Sequence, residues 1–152
     1  MPSLEWRRGE LYITTDRKRL DLAAIHRFLS EESYWAAGIP WSTVANSVRN
    51  SLCFGLFCGG PQIGFARVVT DGATFAYLCD VYVLGEFRGR GLAKWLMECI
   101  ASHPELQGLR RWMLVTRDAQ GLYKQFGFQP LAKPRAYMER FDPAVYAAPP
   151  VG

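Results

Sequence analysis

The residues best arranged for chemistry run Val81-Tyr82-Val83-Leu84-Gly85-Glu86-Phe87-Arg88-Gly89-Arg90-Gly91-Leu92-Ala93-Lys94-Trp95-Leu96-Met97. An apolar, β-prone stretch enters a short turn built from Arg88, Gly89, Arg90 and Gly91, and an amphipathic helical pattern follows. That order leaves bare backbone N–H groups at a helix N-terminus, where the helix dipole is positive, with guanidinium groups alongside. Glycines there let an anion approach the backbone without meeting a side chain. The chemistry this predicts is the binding of a phosphate-bearing ligand.

Two common phosphate loops do not fit. The chain has no G-x-x-x-x-G-K-[ST] motif, and the dinucleotide fingerprint fails because Lys94 stands where its third Gly or Ala belongs. Arg88-Gly89-Arg90-Gly91-Leu92-Ala93 instead resembles the acyl-CoA pyrophosphate loop of the GNAT superfamily of N-acetyltransferases, whose pattern is Arg/Gln-x-x-Gly-x-Gly/Ala. A second stretch, Leu122-Tyr123-Lys124-Gln125-Phe126-Gly127-Phe128, is similar to that family's late Leu-Tyr-x-x-x-Gly-Phe segment and follows about 30 residues later, in the family's order. Asp118 adjoins Ala119 directly, where the family often sets an Asn further from its Ala.

The 152 residues suit one domain with a real core, read as a single unit over 1–152 with a frayed tail from about 143. The net charge of +4 suits a polyanionic ligand, but no Lys/Arg block of the nucleic-acid kind appears, and Arg17-Lys18-Arg19 reads as a solvated turn. Apolar runs are too short to span a bilayer, and the first residues lack the regions of a signal peptide. Neither nucleic acid nor membrane is an expected partner, and the expected location is the cytoplasm. Cys53, Cys58, Cys79 and Cys99 have no zinc spacing and lie far from His26 and His103, so free thiols in a reducing compartment and no metal are expected.

Periodicity places strands at Glu10–Thr15, Leu52–Cys58, Gln62–Thr70, Phe75–Leu84, Arg111–Thr116 and Tyr137–Phe141. Helices are expected from an Asp21 cap to about Ser33, from Ser42 to about Asn50, from about Arg90 to Ser102, and from an Asp118 cap through Phe126, stopped by Gly127. The order β-α-α-β-β-β-α-β-α-β predicts a mixed α/β sheet in which an antiparallel meander leads into a right-handed βαβ crossover. The GNAT fold has the same order, so the resemblance spans nearly the whole chain.

The resemblance implies acetyl transfer from acetyl-CoA to a primary amine by direct attack in a ternary complex. It assigns the backbone of Val81, Tyr82 and Val83 to the pantetheine arm and the amides of Arg88, Gly89, Arg90, Gly91, Leu92 and Ala93 to the pyrophosphate. Asp118 and Tyr123 join the cofactor-binding residues. Tyr123 is also the expected general acid toward the departing thiolate, or else an aromatic packing its helix on the sheet. Asp80, a carboxylate after the apolar Ala76-Tyr77-Leu78-Cys79, either binds or deprotonates the acceptor amine or makes a structural hydrogen bond. Tyr34, Trp35 and Trp41 lie between the first two helices, in the region that walls the acceptor pocket in the family. Tyr34 and Trp35 are the candidate substrate-binding aromatics. A homodimer is open, and the alternative function is a non-catalytic acyl-CoA sensor.

Overall fold

A computed structural model describes residues 2–147. Six strands form one sheet in sequence order: β1 (Glu5–Arg8), β2 (Leu11–Thr14), β3 (Leu52–Cys58), β4 (Gln62–Thr70), β5 (Phe75–Val83) and β6 (Arg111–Leu114). Neighbours are antiparallel except β5 and β6, which are parallel, as a crossover through a helix demands. The helices are α1 (Leu22–Arg27), α2 (Trp41–Arg49), α3 (Leu92–Ser102) and α4 (Gln120–Lys124).

Two cores hold three layers together. On one face of the sheet, Phe54, Leu56, Val68, Ala76 and Leu78 meet Trp95, Leu96, Cys99 and Ile100 of α3 and Tyr123 of α4. On the other, Cys53, Phe65 and Tyr82 meet Ile25 of α1, Phe28 and Leu29 just after it, and Val44 and Val48 of α2. Period-two alternation along β3 sends Cys53 to one core and Phe54 to the other. Burying six residues of α3, among them Leu92, Trp95, Leu96 and Ile100, anchors the helix whose start must face the ligand. Each large apolar side chain contributes about 1.5–3 kcal/mol.

Four expectations about elements change. Glu5–Arg8 is a strand, joined to β2 through Gly9 at φ +61°. Its charged residues hide any alternation, and charge is what an exposed edge strand carries. The first helix keeps its Asp21 cap, Oδ1 accepting the Ala24 N–H at 3.0 Å, but widens to π-helical winding over Phe28–Glu32. Asp118 does not cap α4: Ala119 N–H donates to Thr116 Oγ1 at 3.1 Å, so the hydroxyl two residues earlier takes that role. Tyr137–Phe141 has no ladder partner among the described residues and remains extended coil, with Met138 97% exposed. An alternating pattern without a neighbouring edge to pair with makes no strand.

The predicted frayed tail falls partly on residues 148–152, which lie outside those described. Just before them, Tyr146 packs on the α1–α2 core, and its carbonyl lies where a Cβ on Gly38 would reach within 3.4 Å.

Candidate active site

The site begins where β5 and β6 part. Their pairing runs from Phe75–Arg111 to Leu78–Leu114 and stops, while β5 continues to Val83. The wedge between them opens a cleft of about 440 Å³, lined by Tyr77 to Val81 on one wall and Leu114 to Ala119 on the other, with Tyr34, Trp35 and Tyr123.

A β-bulge shapes the β5 wall. Arg67 faces Cys79 and Phe65 faces Tyr82, so Asp80 and Val81 together oppose Ala66. Asp80 takes φ +54°, the one non-glycine residue with positive φ among those described, a strain of about 1 kcal/mol. Beyond the bulge, Leu84 N–H donates to the Ile63 carbonyl at 2.8 Å, so Leu84 and Tyr82 turn their backbone toward β4. Alternation then turns the backbone of Val81 and Val83 to the cleft. The sequence grouped Val81, Tyr82 and Val83 together. The fold divides them, because Tyr82 spends its backbone on β4 and stacks its ring on Phe28 at 3.8 Å. Arg88 Nε donates to the Val83 carbonyl at 3.0 Å, which ties the loop back to the strand.

The loop between β5 and α3 makes one 3₁₀ turn at Gly85–Phe87 and then presents Gly89 at φ +80° and Gly91 at φ +73°. Nothing lies within 4 Å of a Cβ built on either glycine, so both face open space. Gly91 is the N-cap of α3, and no side chain caps the helix. The amides of Leu92 and Ala93 therefore sit in the first turn with the dipole's positive end outward. Arg90 lies over the Phe87 ring at 5.4 Å. This arrangement fits a diphosphate: open approach, uncapped amides and neighbouring guanidinium groups.

Asp80 is the most heavily engaged residue of the cleft. Its Oδ2 accepts from Arg67 Nε and its Oδ1 from Trp35 Nε1, both at 2.8 Å, and its side chain is 9% exposed. Sequence reasoning found Asp80 and Trp35 and missed Arg67, whose only signal was a cation inside the otherwise apolar β4. Tyr34 crosses to the opposite wall, its hydroxyl accepting the Arg117 N–H at 3.1 Å while the guanidinium lies 3.9 Å from its ring centre. Trp41 stands apart, edge-on to His26, whose Nε2 lies 3.0 Å from the Ile39 carbonyl.

Tyr123 lies buried at 8% exposure where α4 meets the cleft, and burial pushes its phenol up to about 12. Asp118 is 70% exposed, with Arg117 Nη2 3.8 Å away. Burial also pushes the Cys79 thiol up to about 12, so the cysteine in the cleft wall is a thiol and no thiolate nucleophile at neutral pH.

Splayed parallel strands beside an uncapped helix N-terminus have the shape to fit an elongated ligand that carries phosphate. The acetyltransferase (GNAT) domain family matches residues 49–130. A Gibberella zeae protein assigned as an acetyltransferase is 36% identical over 140 residues, spanning 78% of each chain. A crystal structure of a GNAT-family protein from Xanthomonas campestris pv. campestris has TM-score 0.89 and 50% identity, over 91% of this chain and 97% of that one. A Clostridium acetobutylicum structure solved with acetyl-CoA shares the fold at TM-score 0.59 and 16% identity, over 92% and 95% of the two chains. The chain belongs to the GNAT acetyltransferase family and is an acyltransferase enzyme.

Proposed function

We propose that the protein moves an acetyl group from acetyl-CoA to a primary amine by direct attack, with both substrates in the cleft at once. The observation that carries this reading is the wedge between β5 and β6, whose cleft is lined by both Val81 and Tyr123, with β5 running on into the turn and uncapped start of α3. The Arg88 amide already donates to the Gly85 carbonyl at 3.2 Å, so the diphosphate meets the amides of Gly89, Arg90, Gly91, Leu92 and Ala93. The pantetheine arm lies along the backbone of Val81 and Val83 as a short extra strand. Tyr82 supports that strand from the core, and Asp118 stands at the opposite lip.

The acceptor enters the cleft past the Tyr34–Trp35 pair, where the Trp35 ring beside Asp80 suits an ammonium group until it loses its proton. Asp80 retains lone pairs beyond the two that Arg67 and Trp35 occupy, and one of them holds an amine N–H. The amine nitrogen then attacks the thioester carbon. Negative charge collects on the carbonyl oxygen, where the Val81 amide receives it. The C–S bond breaks with its electron pair on sulfur, and Tyr123 gives its phenolic proton to that thiolate. The surplus proton of the amine leaves to water, and water returns a proton to the Tyr123 phenolate, so the enzyme ends as it began. Holding the two reactants together lowers the barrier by several kcal/mol without a covalent enzyme intermediate. The four free thiols accord with work in a reducing cytoplasm.

The test is release of free thiol from acetyl-CoA over a panel of peptide N-termini, lysine, polyamines and amino acids. Amine-dependent release supports the transferase. Tight acetyl-CoA binding with no release for any amine overturns it in favour of a sensor.

A further inference from the structure

The backbone of Asp80 is the kind that glycine adopts without strain, yet the chain places an aspartate there. An observed outlier of this sort asks what its side chain does. Here the carboxylate joins two elements that are distant in sequence. Arg67, on β4, reaches Asp80 through Nε and donates through Nη1 to Ser51 Oγ at 3.1 Å. The Ser51 carbonyl accepts in turn from Nε and Nη2 of Arg17, at 3.3 and 3.0 Å. On the other side, Trp35 reaches Asp80 from the loop between α1 and α2. The Trp35 ring meets Tyr34 edge-on at 5.0 Å, and Tyr34 accepts from the Arg117 amide across the cleft. A continuous polar and aromatic chain therefore runs from β4, through the bulge of β5, to the aromatic loop and the far wall.

We infer that Arg67, Asp80 and Trp35 act as one positioning unit, which fixes the β5 bulge so that the Val81 amide faces the thioester oxygen and locks the acceptor loop to that amide. The inference rests on the proposed acetyl transfer. Arg67 supplies fixed charge, Asp80 turns the backbone and carries both bonds, and Trp35 transmits the geometry to the loop. None of the three has to exchange a proton. The start of α3 holds the phosphates and is independent of the unit, so damage to the unit falls on recognition of the acetyl thioester and spares recognition of coenzyme A.

The experiment measures calorimetric dissociation constants for acetyl-CoA and for coenzyme A with the full chain. The proteins are wild type, Trp35→Phe, Arg67→Lys and the double variant, each checked by thermal melting. Trp35→Phe keeps a ring and removes only the N–H, at a position 40% exposed, so the fold tolerates it. Wild type should bind acetyl-CoA more tightly than coenzyme A. Each single variant should cut that preference by about tenfold, the scale of one hydrogen bond to a charged group, with coenzyme A affinity unchanged. The double variant should cut it no further than the worse single variant, because Trp35 and Arg67 act through the same carboxylate. If Arg67→Lys does not fold, Asp80→Gly, which relieves the backbone, takes its place in the cycle. A wild-type preference of one, a preference that ignores Trp35→Phe in a folded protein, or effects that simply add would each overturn the unit. If wild type binds neither ligand, the proposed function falls with it. If it binds acetyl-CoA and only the cycle fails, the function stands and the positioning unit alone is lost.

Discussion

A phenol that protonates a leaving thiolate must still hold its proton when the C–S bond stretches. Tyr123 meets that condition because burial raises it to about 12, so it remains protonated across neutral and mildly alkaline solution. Tyr123→Phe should lower kcat by about a hundredfold while changing the acetyl-CoA dissociation constant by less than about twofold. Thiol release and calorimetry check the two halves, and unchanged turnover would reduce Tyr123 to a packing residue. The sequence marked Tyr123 by its place in Leu-Tyr-x-x-x-Gly-Phe, but nothing in the string shows how deeply α4 is buried. Asp80 shows the same limit from the other side. A charge in an apolar run attracts notice, whereas its partners, Arg67 and Trp35, lie 13 residues before it on a neighbouring strand and 45 residues before it in a loop.

At the scale of elements, the turn into α3 depends on backbone geometry that only glycine takes without strain. Gly91→Ala at φ +73° should destabilise the protein by about 1 kcal/mol, read from urea unfolding, although its new methyl meets nothing. The same methyl stands where the ligand approaches, so acetyl-CoA should bind about tenfold more weakly, the equivalent of one lost charge-assisted hydrogen bond. Gly64 is constrained for a different reason. A Cβ there would lie 2.9 Å from the Tyr82 carbonyl oxygen and 3.2 Å from Leu56 Cβ, so backbone as well as side chain must yield. Gly64→Ala should cost about 2 kcal/mol as overpacking between β4 and β5. A denaturant midpoint equal to wild type would show that the two strands separate more easily than their contacts imply. The loop glycines stand out in sequence as part of a motif, while Gly64 reads as an ordinary weak point in a strand.

For the whole molecule, the buried thiols lower stability in alkaline solution, alongside the buried phenols of Tyr82 and Tyr123, which burial also raises. Burial raises Cys53, Cys79 and Cys99 from the ordinary 9.0 to about 12. Between those values the unfolded chain releases thiol protons that the folded chain keeps, so the folded state binds more protons. Stability that is fully present below pH 9 is therefore lost as pH rises toward 12. Urea midpoints should fall from pH 7 to about pH 10, and Cys53→Ala should narrow the difference. A midpoint difference that Cys53→Ala leaves unchanged would show that this thiol titrates alike in both states.

The amino-acid sequence by itself determined the order of elements from β2 to α4, the glycine-rich turn into α3, the Asp21 cap and the family, because each rests on local spacing, local backbone preference or a contiguous motif. It could not reveal the Glu5–Arg8 edge strand, the lack of a ladder at Tyr137–Phe141, the Thr116 cap or the bulge at Asp80. A strand exists only if another edge lies beside it, and a carboxylate's role depends on which donors the packed layers bring within about 3 Å. Those are properties of three dimensions: β4 meeting β5 out of step supplies the bulge, and the layer of α1 and α2 brings Trp35 to it. Tertiary structure alone decided that Asp80 joins β4 to the loop between α1 and α2.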